Sequence, residues 1–467
     1  MVIYRYFMKI KRILFGLLIF SLLACNYVTQ MVFPPTATPI PTATATVTVS
    51  STPTSTPLIP AFIPPECATA PLATIPPDVS AQATSEFQVT EIPQGEQLSI
   101  LRELGDVIEN TYVYPDYNGK NWNEMESRYR SEIEAGLDTE SFYNEMSTMI
   151  TELGDEHSFF LSPMEVAESE AELRGDVQFV GVGIYGEPDF ERGRLIVVST
   201  FPGSPAELAG IQEHDSILFV DGQPIKEQFS NLLRGPQCSA VKLTVQSPGE
   251  APRDVMLMRY AIQGNVPIDA RLVTTNDGSK IGYIFIPSFF DETLPGQIKD
   301  ALNAFGKLDG LILDLRMNGG GSSSVAYPIL EYFIHGKLGQ FVSRDSARAL
   351  EIKANEIQNS QTVPLIVMVS KDTVSFGEIF AGVMKDSGRA KIVGETSLGN
   401  VEVLRGYDFE DGSQVWLASE TFHSAFSNTN WEETGIVPDV QAFAPWDTFY
   451  FDTDPSIAAA INLMGHQ

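Results

Sequence analysis

Basic residues are scarce in this chain, and nucleic-acid binding is the first function that their scarcity excludes. The 467 residues include 30 Lys and Arg against 60 Asp and Glu, which gives a formal net charge of -30. Affinity for a phosphate backbone depends on clustered Lys and Arg side chains, and the sequence contains no such cluster. We therefore expect no nucleic-acid partner.

Cysteine and histidine are also rare. Three cysteines are too few for a disulfide scaffold, and none of the five histidines forms a pair with metal-ligand spacing. We therefore predict no cofactor and no metal. Cys67 and Cys238 could form a disulfide in an oxidising compartment or remain two free thiols, and the sequence leaves both alternatives open.

Residues 1–25 have the features of a bacterial lipoprotein signal peptide. Four basic residues precede an apolar segment, 13–23, that is too short to span a bilayer comfortably. The segment leads into Leu22-Leu23-Ala24-Cys25, which resembles the lipobox in which the cysteine is lipidated. We therefore expect an extracytoplasmic protein anchored to the cell membrane through Cys25. A short buried helix with a chance cysteine is the alternative.

Residues 26–93 predict an extended, disordered stalk. Thr, Pro and Ser dominate between positions 34 and 57, and no charged residue occurs from 13 to 65. Such a composition cannot bury a core, and its prolines favour extended backbone. The stalk would hold the folded part of the protein away from the membrane.

Three folded segments follow, and together they predict a multidomain α+β protein. Residues 94–170 carry apolar residues at helical spacing and predict a helical N-terminal domain that ends near Gly154. Residues 171–262 predict short strands, and residues 263–467 alternate strands and helices in an α/β pattern. In this last segment we predict buried strands over Gly282–Ile286, Leu311–Leu315 and Leu365–Val369, and a helix over Glu378–Asp386.

Residues 171–262 resemble a PDZ domain of the protease-associated type. The likeness rests on short strands separated by the segment Gly203-Ser204-Pro205-Ala206 and the turn Asp221-Gly222. It implies polypeptide substrates, because in that family the loop at Val180-Gly181-Val182-Gly183 receives a peptide C-terminus as the peptide adds a strand to the sheet. A glycine-relieved turn before a strand is the alternative. We predict that His214, where relatives usually have a small residue, is a solvated turn residue.

Ser375 is the candidate nucleophile. It lies between a predicted buried strand and a predicted helix, where a turn exposes the hydroxyl and the helix N-terminus favours developing negative charge. Taken alone, Ser375 could equally be a helix N-cap. The glycine-rich segment at 318–321 follows another buried strand and supplies backbone N–H groups that can face an anion.

The order of these motifs resembles the C-terminal-processing, or tail-specific, serine proteases, which include the tricorn-core branch. The order is a PDZ segment, the glycine-rich loop, strand–serine–helix, then segments 394–399 and 435–439. The resemblance implies an α/β catalytic domain of the ClpP/crotonase kind with Ser375 as nucleophile. It also implies an oxyanion hole built from the backbone N–H groups of Phe376 and of Gly320 or Gly321.

One position departs from the best-known members of this family. Their general-base lysine is Asn400 here, and an amide cannot accept a proton at neutral pH. The tricorn-core branch instead uses a histidine before the PDZ domain and a glutamate before the closing motif, and the resemblance assigns these roles to His157 and Glu432. Glu433 is the alternative carboxylate. A histidine titrates near neutral pH, and a carboxylate can orient it.

The sequence thus supports two functions. The first is an exported, lipid-anchored serine endopeptidase that captures polypeptide ends and cleaves through an acyl-enzyme. The second is a surface-tethered PDZ adaptor without activity, which Asn400 favours; the PDZ domain could also be an inhibitory gate. His423 is the alternative general base. We expect Lys391 at a strand edge and Lys385 on a solvated helix face, so neither is a candidate base. The sequence does not indicate an oligomeric state.

Overall fold

The chain divides into two compact units, residues 1–59 and 60–467. The structure, a computed structural model, describes part of the second unit: residues 60, 62, 63, 67, 91–155, 157–167, 179–226, 232–262 and 268–465. The predicted signal peptide, Cys25 and most of the predicted stalk lie outside these residues. Among the residues described, no helix has both the length and the apolar character needed to cross a membrane.

Between residues 94 and 151 the N-terminal segment folds into three helices, as its apolar spacing predicts. They are α1 (Gln94–Thr111), α2 (Trp122–Ala135) and α3 (Thr139–Thr151), with a short 3₁₀ turn at Tyr117–Gly119. The side chains of Asn121 and Asp138 accept hydrogen bonds from the first turns of α2 and α3, which fixes where these helices begin. Each helix buries one apolar face in a shared core.

The helical segment shares its core with the C-terminal α/β domain, which the resemblance predicts to be the catalytic domain. After α3, strand β1 (Phe159–Leu161) pairs antiparallel with the later strand Gln414–Ser424. Val415 and Leu417 of that strand pack into the helical core. The helical segment therefore has no core separate from that of the later domain, and the segment before β1, which contains His157, is held against β18.

The PDZ segment is a five-stranded antiparallel sheet with a short strand beside it. Its strand order is β3-β4-β5-β7-β8, β6 pairs with β5, and β2 pairs separately with β9. The elements are β2 (Phe179–Gly181), β3 (Ile184–Asp189), β4 (Arg194–Thr200), α4 (Pro205–Leu208), β5 (Ser216–Val220), β6 (Gln223–Pro224), β7 (Ala240–Gln246), β8 (Arg253–Met258) and β9 (Tyr260–Ile262).

Gly183 forms the turn between β2 and β3. Its φ of 76° belongs to the left-handed region, and a Cβ built there would lie 2.2 Å from the Cβ of Ser204. Only a glycine fits this turn, which separates β2 from β3.

Cys67 and Cys238 form a disulfide, with their Cα atoms 5.3 Å apart. Of the two alternatives that the sequence leaves open, the structure therefore has the bonded one. Cys67 is buried. The bond fastens a residue of the predicted stalk to the PDZ segment.

The catalytic domain is built on a six-stranded sheet in the order β10-β11-β12-β15-β16-β19. The antiparallel edge strand β10 precedes five mutually parallel strands. The strands are β10 (Ala270–Thr274), β11 (Lys280–Phe285), β12 (Gly310–Asp314), β15 (Leu365–Val369), β16 (Lys391–Gly394) and β19 (Val440–Gln441). The three strands predicted to be buried are all present, with bounds shifted by at most two residues.

A second sheet and the helices complete this domain. The sheet has the order β1-β18-β13-β14, with β17 beside β18. Its strands are β13 (Gly336–Val342), β14 (Ala347–Ile352), β17 (Val403–Asp408) and β18 (Gln414–Ser424). The helices are α5 (Leu294–Phe305), α6 (Ser323–Phe333), α7 (Phe376–Asp386), α8 (Trp431–Thr434) and α9 (Pro455–Leu463), with 3₁₀ turns at Trp446–Thr448 and Phe451–Thr453.

The two faces of the parallel sheet are covered by different elements. Alternate residues of β12 point to opposite faces. Leu311 and Leu313 join a core with α5, α6 and α7, whereas Ile312 joins a core that includes Trp446, α9 and the PDZ residue Val198. The PDZ segment therefore packs on the catalytic sheet through an apolar contact.

The prediction that His214 is solvated is wrong. His214 is 4% exposed, and its Nδ1 lies 2.6 Å from the carbonyl oxygen of Trp446. Its ring stacks on the Trp446 ring, with the two centroids 4.6 Å apart. The C-terminal segment covers this PDZ turn, and nothing local to His214 in the sequence indicates that contact. Burial lowers the pKa of His214 to about 4, although the hydrogen bond with Trp446 opposes this shift.

We expect His214 to make stability depend on acidity. The unfolded chain takes up a proton at this side chain with a pKa near 6.5, but the folded chain does so only near 4, so acid favours unfolding. The difference in unfolding free energy between wild type and His214→Gln should therefore shrink by up to about 3 kcal/mol between pH 7 and pH 4. Denaturant titrations at both pH values measure it. A difference that stays constant would contradict the burial of a neutral imidazole.

Candidate active site

Ser375 occupies a strained turn between β15 and α7. Its φ of 57° and ψ of -125° are unusual for a residue other than glycine, and its side chain is half-buried. The backbone N–H donates to the carbonyl oxygen of Asn400 at 2.8 Å. Ser375 is the N-cap residue of α7 by position, but its side chain makes no capping hydrogen bond to that helix.

The glycine-rich loop lies directly against Ser375. A Cβ built on Gly320 would lie 2.7 Å from the Cβ and 3.1 Å from the Oγ of Ser375. Asn318 is fully buried and holds this loop: its Oδ1 accepts from the Gly320 N–H at 2.9 Å, and its carbonyl oxygen accepts from Val374 at 2.9 Å. Sequence analysis assigned no role to the Asn318 side chain.

The predicted oxyanion donors are not equivalent in the structure. The N–H of Gly320 is already engaged by Asn318, and Gly321 is packed so tightly that an added Cβ would lie 2.3 Å from the carbonyl carbon of Phe289. Phe376 is the first residue of α7, where an N–H group has no acceptor within its own helix. The backbone of Phe376 is therefore the best-placed donor of the predicted set.

Glu378 fixes the loop that follows β16, which we call the 397–402 loop after its bounding residues. The carboxylate is fully buried and accepts from Ser397 Oγ at 2.6 Å, from Gly399 N–H at 2.7 Å and from Asn400 N–H at 2.7 Å. Burial raises the pKa of Glu378, although these three hydrogen bonds oppose the shift. Sequence analysis missed this residue; an acidic residue on the apolar stretch of a helix was the available signal.

His157 is held by a turn that is fastened to β18. Asp155 Oδ1 accepts from the N–H groups of His157 at 2.9 Å and Ser158 at 2.8 Å, a local arrangement typical of aspartate in turns. Ser158 Oγ in turn accepts from the Ala418 N–H at 3.0 Å. The His157 residue is 8% exposed as a result.

Two carboxylates converge on one nitrogen of the His157 ring. Nε2 lies 2.7 Å from Glu432 Oε1 and 2.7 Å from Glu402 Oε2. The other oxygen of Glu432 accepts from the Val401 N–H at 2.7 Å, and the hydroxyl of Tyr114 donates to Glu402. The structure thus brings the predicted pair His157 and Glu432 together and adds a residue, Glu402, that sequence analysis missed.

The alternatives for these roles lie elsewhere. Glu433 accepts a hydrogen bond from Asn430 on the surface, and the exposed His423 pairs with Thr421 in its own strand. Lys391 is exposed beside Asp439, and Lys385 donates to the carbonyl of Val437, so both lysines have surface contacts, as predicted.

The charge state of His157 follows from its neighbours. Burial alone would lower its pKa, but the adjacent carboxylates of Glu402 and Glu432 favour the charged imidazolium, outweigh burial and raise the pKa to about 10. Burial likewise raises the pKa of Glu402, against the opposing effect of His157. Before His157 can act as a base, it must lose a proton. Its Nδ1 is buried and has no hydrogen-bond partner among the described residues.

The predicted peptide-binding loop begins the PDZ edge strand. Val180 and Gly181 belong to β2, Val182 is buried, and the carbonyl of Gly183 accepts from the Phe201 N–H at 3.0 Å. Within the described residues, β3 pairs with β4 on one side only. No strand among the described residues pairs with its other edge.

Ser375 on a strained strand–helix turn beside a glycine-rich loop, with a histidine–carboxylate pair linked to that turn through residues 400 and 401, has the elements of a serine peptidase site. The sequence matches agree: residues 280–442 match peptidase family S41, residues 170–246 match the PDZ domain, and residues 93–151 match the tricorn protease C1 domain. Residues 280–442 thus resemble peptidase family S41 and lie next to a PDZ match, and the predicted resemblance to C-terminal-processing proteases and the predicted enzyme class, a serine peptidase, are confirmed.

The relatives found by sequence comparison include proteins named as carboxyl-terminal-processing proteases. The carboxyl-terminal-processing protease of Synechocystis is 27% identical over 381 residues, which cover 79% of this chain and 87% of the relative. The carboxy-terminal processing protease CtpA of Bacillus subtilis is 31% identical over 306 residues, which cover 64% of this chain and 63% of the relative.

Solved structures support the predicted fold. The photosystem II D1 C-terminal processing protease matches with a TM-score of 0.55 and 27% identity, over 74% of this chain and 92% of its own. An S41 protease from Bacteroides fragilis matches in fold with a TM-score of 0.53 and 16% identity, over 78% of this chain and 97% of its own. The α/β ClpP-like catalytic domain is thereby confirmed.

We predict that Glu402 holds a proton on His157. Replacing Glu402 by Gln removes one of two carboxylates at Nε2, so the pKa of His157 should fall from about 10 by about 1 pH unit or more. An NMR titration of the imidazole in a Ser375→Ala background measures it. Glu433→Gln, which removes a neighbouring surface carboxylate, should leave the titration unchanged; equal titrations for both variants would contradict the assignment.

Proposed function

We propose that the chain is an exported, lipid-anchored endopeptidase that processes the C-terminal ends of polypeptides. Ser375 is the nucleophile, His157 the general base and Glu432 the carboxylate that orients the base. The observation that carries this proposal is a continuous path of contacts: Ser375 N–H to the Asn400 carbonyl, the neighbouring Val401 N–H to Glu432, and Glu432 to His157.

The mechanism requires His157 in its neutral form. With the Nε2 proton donated to Glu432, the lone pair lies on Nδ1, which is the ring nitrogen left without a partner among the described residues. Nδ1 takes the proton of the Ser375 hydroxyl as Oγ attacks the scissile carbonyl. The imidazolium then gives that proton to the leaving amine, and water releases the acyl group by the reverse sequence of transfers.

Backbone donors stabilise the negative charge that develops on the carbonyl oxygen. The Phe376 N–H lies at the start of α7, where the helix dipole also favours an anion. The glycine loop supplies the second donor. Because the Gly320 N–H is bound to Asn318 in this structure, substrate binding must either release it or use Gly321.

The PDZ domain supplies the preference for chain ends. A peptide that adds a strand beside β3 would bring its carboxylate to the Val180–Gly183 loop. The relatives named for carboxyl-terminal processing support the same end preference.

Export and anchoring rest on two observations. The lipobox-like sequence before Cys25 marks a lipidation site, and the Cys67–Cys238 disulfide suits an oxidising compartment outside the cytoplasm. Cys25→Ser should release the protein from membranes in fractionation of the host cells, whereas wild type should remain in the membrane fraction and take up a clickable fatty-acid label.

Fluorophosphonate labelling tests the catalytic assignment. Wild type should label, because the probe requires an activated serine, and Ser375→Ala should not. His157→Ala should lose labelling by roughly 100-fold or more, the usual contribution of a general base. His423→Ala is the matched control, since this histidine is exposed and away from the site, and it should label like wild type.

A non-catalytic PDZ adaptor is the second candidate. It is favoured by Asn400 at the lysine position and by the raised pKa of His157. A folded wild-type protein that binds peptides but is not labelled at any pH from 6 to about 10 would support the adaptor and contradict the peptidase proposal.

Peptide capture has a separate test. In the Ser375→Ala variant, which cannot turn over its ligand, a fluorescent peptide with a free C-terminal carboxylate should bind roughly tenfold or more tightly than its C-terminal amide, because backbone N–H groups favour the charged end. Fluorescence anisotropy measures both affinities. Equal affinities would contradict recognition of chain ends by the PDZ loop.

A further inference from the structure

His157, Glu402 and Glu432 are far apart in sequence, but their potential metal-ligating atoms lie close together. His157 comes from the turn after α3, Glu402 from the 397–402 loop and Glu432 from α8. One donor atom from each lies within 4.8 Å of the others. The sequence-based prediction of no metal looked for ligand spacing along the chain, which cannot reveal such a set.

The proposed catalytic mechanism assigns no role to Glu402. It is 3% exposed, and its Oε2 points at His157 Nε2 from 2.7 Å without accepting a hydrogen bond from any described residue. A buried carboxylate oxygen in that state is costly unless a cation or a donor satisfies it.

One proton cannot satisfy both carboxylates. Nε2 carries at most one hydrogen, and in the structure it is shared with Glu432. Even with a charged imidazolium, the three side chains sum to one negative charge. Among the described ion pairs, Glu402 and Glu432 have His157 as their partner and no Lys or Arg.

We propose that His157 Nε2, Glu402 and Glu432 form a reversible Zn²⁺ site. One imidazole nitrogen and two carboxylates, with water in the fourth position, is a donor set that suits zinc, whereas Mg²⁺ and Ca²⁺ prefer oxygen ligands alone. Zinc bonds of about 2.0–2.2 Å require donor atoms about 3.3 Å apart, so the two carboxylates must withdraw from Nε2 by roughly half an ångström.

The bound ion would inhibit the peptidase. An imidazole that ligates through Nε2 in its neutral form has its proton on Nδ1, so neither ring nitrogen can accept the proton of Ser375. Zinc would therefore hold the enzyme inactive, and a chelator would restore it. This effect on activity rests on the proposed function, but the binding of zinc does not.

Metal binding is tested on the full chain with Ser375→Ala, which keeps all three ligands. After dialysis against EDTA, one equivalent of Co²⁺ should give visible absorption bands of a four-coordinate site, and Zn²⁺ should abolish them. Adding Glu402→Gln should weaken binding by roughly tenfold or more, at least the effect of losing an outer-shell partner. Adding Glu433→Gln, the matched surface control, should not change it.

Two results would overturn the site: no Co²⁺ spectrum in a protein with a native circular dichroism spectrum, or equal affinity in the Glu402→Gln and Glu433→Gln variants. Weaker binding in Glu402→Gln alone supports it. Circular dichroism of every variant separates the loss of a ligand from the loss of the fold.

Inhibition is tested on wild type. Zn²⁺ should suppress fluorophosphonate labelling, EDTA should restore it, and Mg²⁺ should have no effect. Unchanged labelling in a protein whose zinc content is confirmed at one equivalent would overturn the inhibitory role. A metal-free wild type that does not label would contradict the proposed function, while the Co²⁺ spectrum would still decide the metal site.

Discussion

The contact between His157 and the carboxylates of Glu402 and Glu432 is the interaction on which the site depends, because it joins segments more than 200 residues apart. Each partner is fixed by further hydrogen bonds. Asp155 binds the His157 backbone, and the Val401 N–H donates to Glu432. Glu378 fixes the 397–402 loop, which contains Glu402. Buried charges are tolerated only when they are paired in this way. The helical segment and the catalytic sheet therefore cannot separate without leaving charges unpaired.

Short-range patterns in the sequence predicted much of the fold. Apolar runs flanked by turn residues indicated β12 and β15, and helical spacing indicated α1 and α3. These elements could be predicted because the spacing of their own apolar residues shows which of their faces are buried. The contact of His214 with Trp446 could not be predicted in this way. It depends on how the C-terminal segment crosses the PDZ turn, 232 residues away in sequence.

The candidate site shows the same division. Motif order assigned roles to Ser375, His157 and Glu432, because it indicates which segments of this chain correspond to those of the family. Glu402 and Glu378 belong to no motif that was recognised, and their roles arise from backbone N–H groups and ring nitrogens contributed by other segments. Asn400 marks the position at which the lysine base is missing, yet its backbone carbonyl still anchors the serine turn. The loop thus keeps a scaffolding function where its usual chemistry is absent.

The disulfide between Cys67 and Cys238 decides where a membrane tether would be attached to the folded protein. Without it, tension along the N-terminal segment would reach the fold at α1. With it, the same tension would enter through the PDZ segment at Cys238, just before β7. Reduction of this single bond would move the point at which such tension enters the fold from the PDZ segment to the helical segment that contains His157.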